Sequence, residues 1–330
     1  MKQECNSIML ANKLAEVIGD LCDANQDYAL LDFPAHSNVG DSAIYLGELA
    51  LLDKIYAKPP RYVCTKKSAA DDIAKFMTQG VIFLHGGGNF GDIWPAHQAF
   101  RNRILQKYPD YKIVQLPQSI HFSDKKAVAK SAEVIDHHKD FTLLVRDRHS
   151  FDFAQENFQC DIRLCPDAAF ALSDLQANDA AIIRDTLCIL RTDKEKQLSQ
   201  NDSKLLAELA DIEDWLSEKS VKSLVDRFDR LSYLMLPPLR KRLMSRRAQM
   251  YQRHARQRVS RGVAQICSAK RVVSDRLHVH ILSMILGKEH YILDNNYGKI
   301  QRFIAAWQAD NSTTIINDIP TLIRELRASK

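Results

Sequence analysis

The stretch Arg271–Lys299 reads RVVSDRLHVHILSMILGKEHYILDNNYGK, and its pattern decides the fold class. Val272 and Val273 close a short apolar strand. Ser274 and Asp275 are residue types whose side-chain oxygens cap helices. The apolar spacing predicts a helix over 276–286, which Gly287 ends. A second apolar strand is expected over 291–293, and the polar loop 294–299 follows it. Strand, helix and strand at this spacing form the repeating unit of a parallel α/β sheet. The N-terminus of such a helix offers free N–H groups and a positive dipole end to an anion. Arg276 adds a planar fork matched to carboxylate or phosphate. His278 adds a group that can bind an anion or move a proton near neutral pH. The site therefore reads as a receptor for a small phosphorylated substrate. The same residues also suit an ordinary turn whose Arg and His face solvent.

The same cadence runs through the N-terminal half. A helix is expected over 8–22, a strand over 28–32 and a helix over 42–56, with the loop His36-Ser37-Asn38-Val39-Gly40-Asp41 between the last two. Asp41 is explained by capping alone, or it reaches into a cleft together with Asn38. The apolar run 81–84 leads into His85-Gly86-Gly87-Gly88-Asn89-Phe90-Gly91-Asp92. Gly86, Gly88 and Gly91 satisfy GxGxxG. The match lies outside the first βα unit, however, and the next strand, 112–116, ends in Pro117-Gln118-Ser119 with no acid for a ribose. The glycines thus read as room for a substrate, with His85, Asn89 and Asp92 around it, or as a tight crossover. The strand over 142–145 ends in Arg146, a second candidate anion clamp or a structural ion pair. Alternating strands and helices imply a doubly wound parallel sheet.

A chain of 330 residues favours two domains, and the weakly patterned segment after 172 places the boundary near 175, giving units 1–175 and 176–330. Apolar residues make up 45% and charged residues 26%, the balance of a soluble globular protein. A formal charge of +5 permits an acidic substrate without demanding nucleic acid, and no nucleic-acid module is present. Seven scattered cysteines without a CxxC pair suggest reduced thiols in the cytosol. Neither a signal peptide nor a run of ~20 apolar residues is read. The expected location is cytoplasmic, with peripheral contact at the inner face of the membrane allowed. Asp211, Glu213 and Asp214 read as a solvated helix face rather than a metal pair. The basic region 239–261 reads as a helix with a charged outer face and some attraction to anionic lipid.

Five separated motifs then fit one family. The chain resembles the polysaccharide pyruvyltransferase family in Asn38-Val39-Gly40-Asp41, His85 through Asp92, Pro117-Gln118-Ser119-Ile120, Arg146-Asp147 with Ser150, and Ser274-Asp275-Arg276-Leu277-His278 with Asn296-Tyr297-Gly298-Lys299. Arg191 with Asp193 and Glu195 resembles the motif that opens the second half. The resemblance implies two Rossmann-like domains facing a cleft, a glycosyltransferase-B-like arrangement, with C-terminal helices packing back across them. It implies phosphoenolpyruvate as donor, a sugar hydroxyl pair as acceptor (lipid-linked oligosaccharides included) and a pyruvate ketal as product, with no metal or other cofactor required. Donor binding is expected from Arg146, Arg276, Leu277, His278 and Lys299. Acceptor binding is expected from Asn38, Asn89 and Gln118, and proton transfer from His278, Asp41, Asp92 or His85. A sugar-nucleotide glycosyltransferase of the same architecture and a non-enzymatic membrane- or polysaccharide-binding protein are the competing readings.

Overall fold

The computed structural model describes residues 2–67, 70–177, 181–192, 199–216, 237–293, 298–307, 314–316 and 319–328. Two parallel sheets form its framework. The first holds seven strands: β1 (Tyr28–Leu31), β2 (Tyr62–Cys64), β3 (Val81–Leu84), β4 (Gly87–Gly91), β5 (Lys112–His121), β6 (Phe141–Val145) and β7 (Asp161–Leu164). Their order is β2-β1-β3-β5-β6-β7, and β4 pairs with the outer half of β5. The second holds β8 (Arg184–Ile189), β9 (Asp211–Glu213), β10 (Ala269–Ser274), β11 (His290–Leu293) and β12 (Thr314–Ile316), in the order β12-β11-β10-β8-β9.

The reason for these strands is visible in their composition. β1, β3 and β6 are buried along their whole length, as a sheet covered on both faces requires. Each fully buried aliphatic or Phe side chain contributes about 1.5–3 kcal/mol. The two strand orders also fix where a ligand can sit. The first sheet reverses direction of growth between β1 and β3, the second between β8 and β10. Chain leaving the carboxyl ends of strands diverges at such points and opens a crevice.

Helices α1 (Lys2–Gly19), α2 (Val39–Tyr56), α3 (Pro95–Lys107), α4 (Lys125–Asp136) and α5 (Arg148–Asn157) belong to the first sheet's half of the chain. Asn38, not Asp41, caps α2: its Oδ1 accepts from Gly40 N at 3.0 Å. Asp41 is thereby left in the first turn with its carboxylate available. Gly47 on α2 lies against the Ala168 carbonyl so closely that a Cβ would fall 1.9 Å from its oxygen.

The second half supplies α6 (Gln200–Ala207), the long α7 (Pro237–Cys267), α8 (Leu277–Ile285), α9 (Lys299–Trp307) and α10 (Ile319–Ala328). Three of these reach the first half, α8 by packing against α1 and α2. On α7, Tyr251 stacks on Phe33 with centroids 4.1 Å apart, and buried Arg247 and Arg258 donate to Val63 O and Pro34 O. On α9, the Trp307 indole donates to Arg146 O at 2.8 Å. The terminal α10 stays in its own half, against α6 and β12.

Several local expectations change. The carboxylates Asp211 and Glu213 lie on a strand, not a helix face. The glycine-rich turn becomes β4, because Gly87 and Gly91 adopt positive φ and let the chain pair with β5. Among the described residues no helix is long and apolar enough to cross a membrane. Cys22, Cys64, Cys160, Cys165, Cys188 and Cys267 are free thiols.

Candidate functional site

A cavity of about 520 Å³ lies where the two crevices meet. The first half contributes the loop carrying His36, Asn38 and Asp41, then Lys66, Asn89 and His97, and Arg146 at the end of β6. The second half contributes Arg191 after β8, Trp215 and Leu216 after β9, and Arg276, Leu277 and His278 at the start of α8. Among the described lining residues, Lys66, Arg146, Arg191 and Arg276 are cations and Asp41 is the carboxylate, while Asp167 and Asp214 pair with Arg146 and Arg276 at the wall; the set suits an anion.

Arg276 begins α8 as its N-cap in extended conformation, and among the described residues no side chain caps the helix. Ser274 and Asp275 do not take that role. The Ser274 hydroxyl donates to Ile189 O and accepts from Arg276 N, and Asp275 Oδ1 accepts from Arg191 N at 2.9 Å. The turn is thus clamped to the end of β8, and the first residues of α8, Leu277 and His278, line the cavity. The Arg276 guanidinium is fixed by Asp214, at 2.6 and 2.8 Å from its two oxygens, and lies 5.9 Å from the Trp215 ring centroid. Asp214 is therefore a site-building carboxylate and not part of a solvated face. Burial pushes the Asp275 carboxyl up to about 6, although the Arg191 N–H and the Arg276 charge oppose it.

A second carboxylate joins the halves. Asp167 Oδ2 lies 2.6 Å from Arg146 Nη1 and 3.3 Å from His278 Nε2. Burial alone would raise its pKa, but His278, Arg146 and the Ala169 N–H outweigh that and hold it well below the usual carboxylate range. Arg146 Nε also donates to the Ser119 hydroxyl, which donates to Asp147. So Arg146 is both a buried ion pair and part of the cavity wall. His278 packs on the first half through Gly40, where a Cβ would come within 2.6 Å of Nδ1.

On the opposite wall, Asn38 donates to Asp41 Oδ2 at 2.9 Å, and His36 Nε2 lies 3.5 Å from it. Burial opposes ionisation of Asp41, but the charges of His36, His278, His85 and His97 lower its pKa. Asn89 is held by Gln118 and Arg101, both 3.0 Å from its Oδ1.

The chain matches the family described as Polysaccharide pyruvyl transferase over residues 38–297. The chain belongs to the polysaccharide pyruvyl transferase family. It is 30% identical to "Pyruvyl transferase 1" of Schizosaccharomyces pombe, covering 84% of this chain and 69% of that one. It is likewise 30% identical to "Putative pyruvyl transferase EpsO" of Bacillus subtilis, covering 93% of both. The fold is similar to that of an uncharacterised Klebsiella pneumoniae protein, with a TM-score of 0.58 at 17% identity over 94% of this chain and 99% of the other.

Against this pyruvyl transferase background, Asn38, Asp41, Asn89, Arg146, Arg276, Leu277 and His278 come together on one cavity wall or another. Three expected residues do not line it. His85 is buried with Nδ1 2.8 Å from Glu48, and Gln118 is buried behind Asn89. Asp92 accepts from Ser123 N, Ser123 Oγ and Asp124 N, holding the loop after β5. The Lys299 side chain and residues 294–297 lie outside the described residues, as do Asp193 and Glu195. Reading the sequence passed over Asp167, Asp214, Lys66 and His97. His97 had a signal: Pro95 suits the first turn of a helix, and α3 starts there with His97 in that turn.

Proposed function

We propose that this pyruvyl transferase takes the pyruvate group from phosphoenolpyruvate and joins it as a ketal to two hydroxyls of a sugar in a cell-surface polysaccharide. The observation that carries the reading is the convergence of Arg146, Arg276 and His278 from both halves on one cationic cavity. Phosphoenolpyruvate brings about three negative charges near neutral pH. Arg276, Arg191, Arg146 and the α8 N-terminus are the groups suited to balance them, with Lys299 an expected addition.

In the proposed reaction the methylene carbon gains a proton, and the adjacent carbon becomes oxocarbenium-like. One sugar hydroxyl adds there and loses its proton. Phosphate departs by carbon–oxygen cleavage, and a second hydroxyl closes the ketal. We assign phosphate binding or proton delivery to His278, whose Nε2 lies 3.3 Å from Asp167. Asn38, Asp41 and Asn89 form the facing wall, where the acceptor would bind, with Gln118 holding Asn89. His85 and Asp92 would act at a distance, through Glu48 and the 122–124 loop.

Some arginines of α7 face solvent in one stripe, Arg242, Arg246, Arg253 and Arg256. This stripe suits an anionic membrane surface bearing a lipid-linked acceptor.

The experiment is calorimetric titration of phosphoenolpyruvate into wild type and Arg276→Ala. Truncating one member of a buried charged contact costs about 2–4 kcal/mol, so affinity should fall about 30- to 1,000-fold. Unchanged affinity in the variant would remove Arg276 from the donor site.

A further inference from the structure

The acceptor side of the cavity holds an Asp–His pair that none of the motifs above contains. His97 Nδ1 lies 2.5 Å from Asp32 Oδ2, and His97 Nε2 lies 2.7 Å from the Lys66 ammonium. Lysine can only donate, so Nε2 accepts and Nδ1 carries the proton that Asp32 receives. That is the tautomer a general base needs, with its basic nitrogen turned away from the orienting carboxylate. The fold spends strain to keep it. Asp32 ends β1 with φ +68, a left-handed conformation that a non-glycine residue rarely adopts. Its carboxylate is 6% exposed, and its second oxygen, Oδ1, has no hydrogen-bond partner among the described residues. Pro95 starts α3 so that His97 falls in the first turn and lines the cavity.

We propose that His97, oriented by Asp32, is the base that accepts the proton of the attacking sugar hydroxyl. This rests on the pyruvyl-transfer reading above and names a base which that reading did not assign. The hydroxyl occupies the position that Lys66 holds against Nε2. As the oxygen bonds to the central carbon of the donor, its proton passes to Nε2, and the donor's methylene carbon receives a different proton from the opposite wall. Departing phosphate leaves with its bonding pair and takes the proton held on His97, and the proton of the second hydroxyl returns to the group that protonated the methylene carbon as the ring closes. Asp41 is the weaker candidate, because its Oδ2 already accepts from Asn38 and lies 3.5 Å from His36 Nε2. The charged and titratable groups facing His97 are Asp32 and Lys66 in contact, with Asp41 and His36 beyond them and Arg101 behind Asp32.

The test compares wild type, His97→Asn and Asp32→Asn. Asparagine at 97 keeps a donor for Asp32 and removes the basic nitrogen. Each protein is measured for phosphoenolpyruvate binding by calorimetry, for ketal formation on a panel of glycosides, and for thermal melting. The expected result for His97→Asn is wild-type donor affinity with kcat lower by about 10²- to 10⁴-fold, the usual yield of a general base. In Asp32→Asn, loss of the carboxylate disfavours the imidazolium. The acid limb of the kcat profile should therefore move to lower pH and the plateau should drop. A purely structural role would lower the melting temperature without moving that limb. A His97→Asn enzyme with kcat within threefold of wild type, or an Asp32→Asn limb that stays in place, overturns the proposal while leaving pyruvyl transfer intact. A wild-type chain that neither binds phosphoenolpyruvate nor forms a ketal overturns both.

Discussion

Asp275 and Asp167 show how the same residue type is driven in opposite directions within one site. Asp167 sits between Arg146 and His278 and stays ionised despite burial. Asp275 is buried with Oδ2 unpartnered among the described residues, and its carboxyl is pushed up to about 6. Its folded pKa lies above the unfolded value of about 3.9, so the folded chain binds the extra proton. Stability from this group is complete below the unfolded value and is lost as pH rises through about 6. Asp275→Asn should therefore stabilise the protein by about 1–3 kcal/mol at pH 7.5, from about 1.4 kcal/mol per pKa unit, with the gain shrinking toward pH 4. Melting curves at the two pH values check this, and a variant less stable than wild type at pH 7.5 would contradict it. The sequence made Arg276, His278 and Arg146 legible because each follows an apolar strand. It hid their partners. Asp167 and Asp214 are distant in sequence, and a carboxylate in a turn looks the same whether it caps, hydrates or pairs with a buried arginine.

At the scale of elements, α7 carries two different kinds of arginine. Arg247 and Arg258 turn inward and satisfy the Val63 carbonyl in β2 and the Pro34 carbonyl in the loop after β1, whereas Arg242, Arg246, Arg253 and Arg256 form the outer stripe. Replacing Arg258 by Ala strands the Pro34 carbonyl and empties a packed site, which should cost about 1–3 kcal/mol. Replacing the four outer arginines by Gln should change stability by less than about 0.5 kcal/mol each and abolish sedimentation with anionic vesicles. Full vesicle binding by the quadruple variant would dismiss the membrane role of the stripe. Composition alone marked the region as basic and helical, but it could not sort these arginines. That sorting depends on which face of a 31-residue helix meets the other half of the chain. The C-terminal helices divided in the same way: α7 and α9 cross over, and α10 does not.

For the whole molecule, the two-sheet α/β plan was readable from cadence, since buried parallel strands and intervening helices leave period and punctuation in the sequence. The cavity was readable only as separate strand-end motifs. Its closure depends on contacts such as Gly40 against His278, which no local pattern encodes. The central claim is that cations and proton-transfer groups from both halves serve one reaction. The most direct measurement is incubation of the full chain with phosphoenolpyruvate and a panel of lipid-linked and nonionic glycosides, with phosphate release and product mass followed together. The expected result is phosphate released in equal amount to a glycoside heavier by one pyruvate less water. Glycosides unchanged in mass, with the chain stabilised by a sugar nucleotide and not by phosphoenolpyruvate, would contradict it.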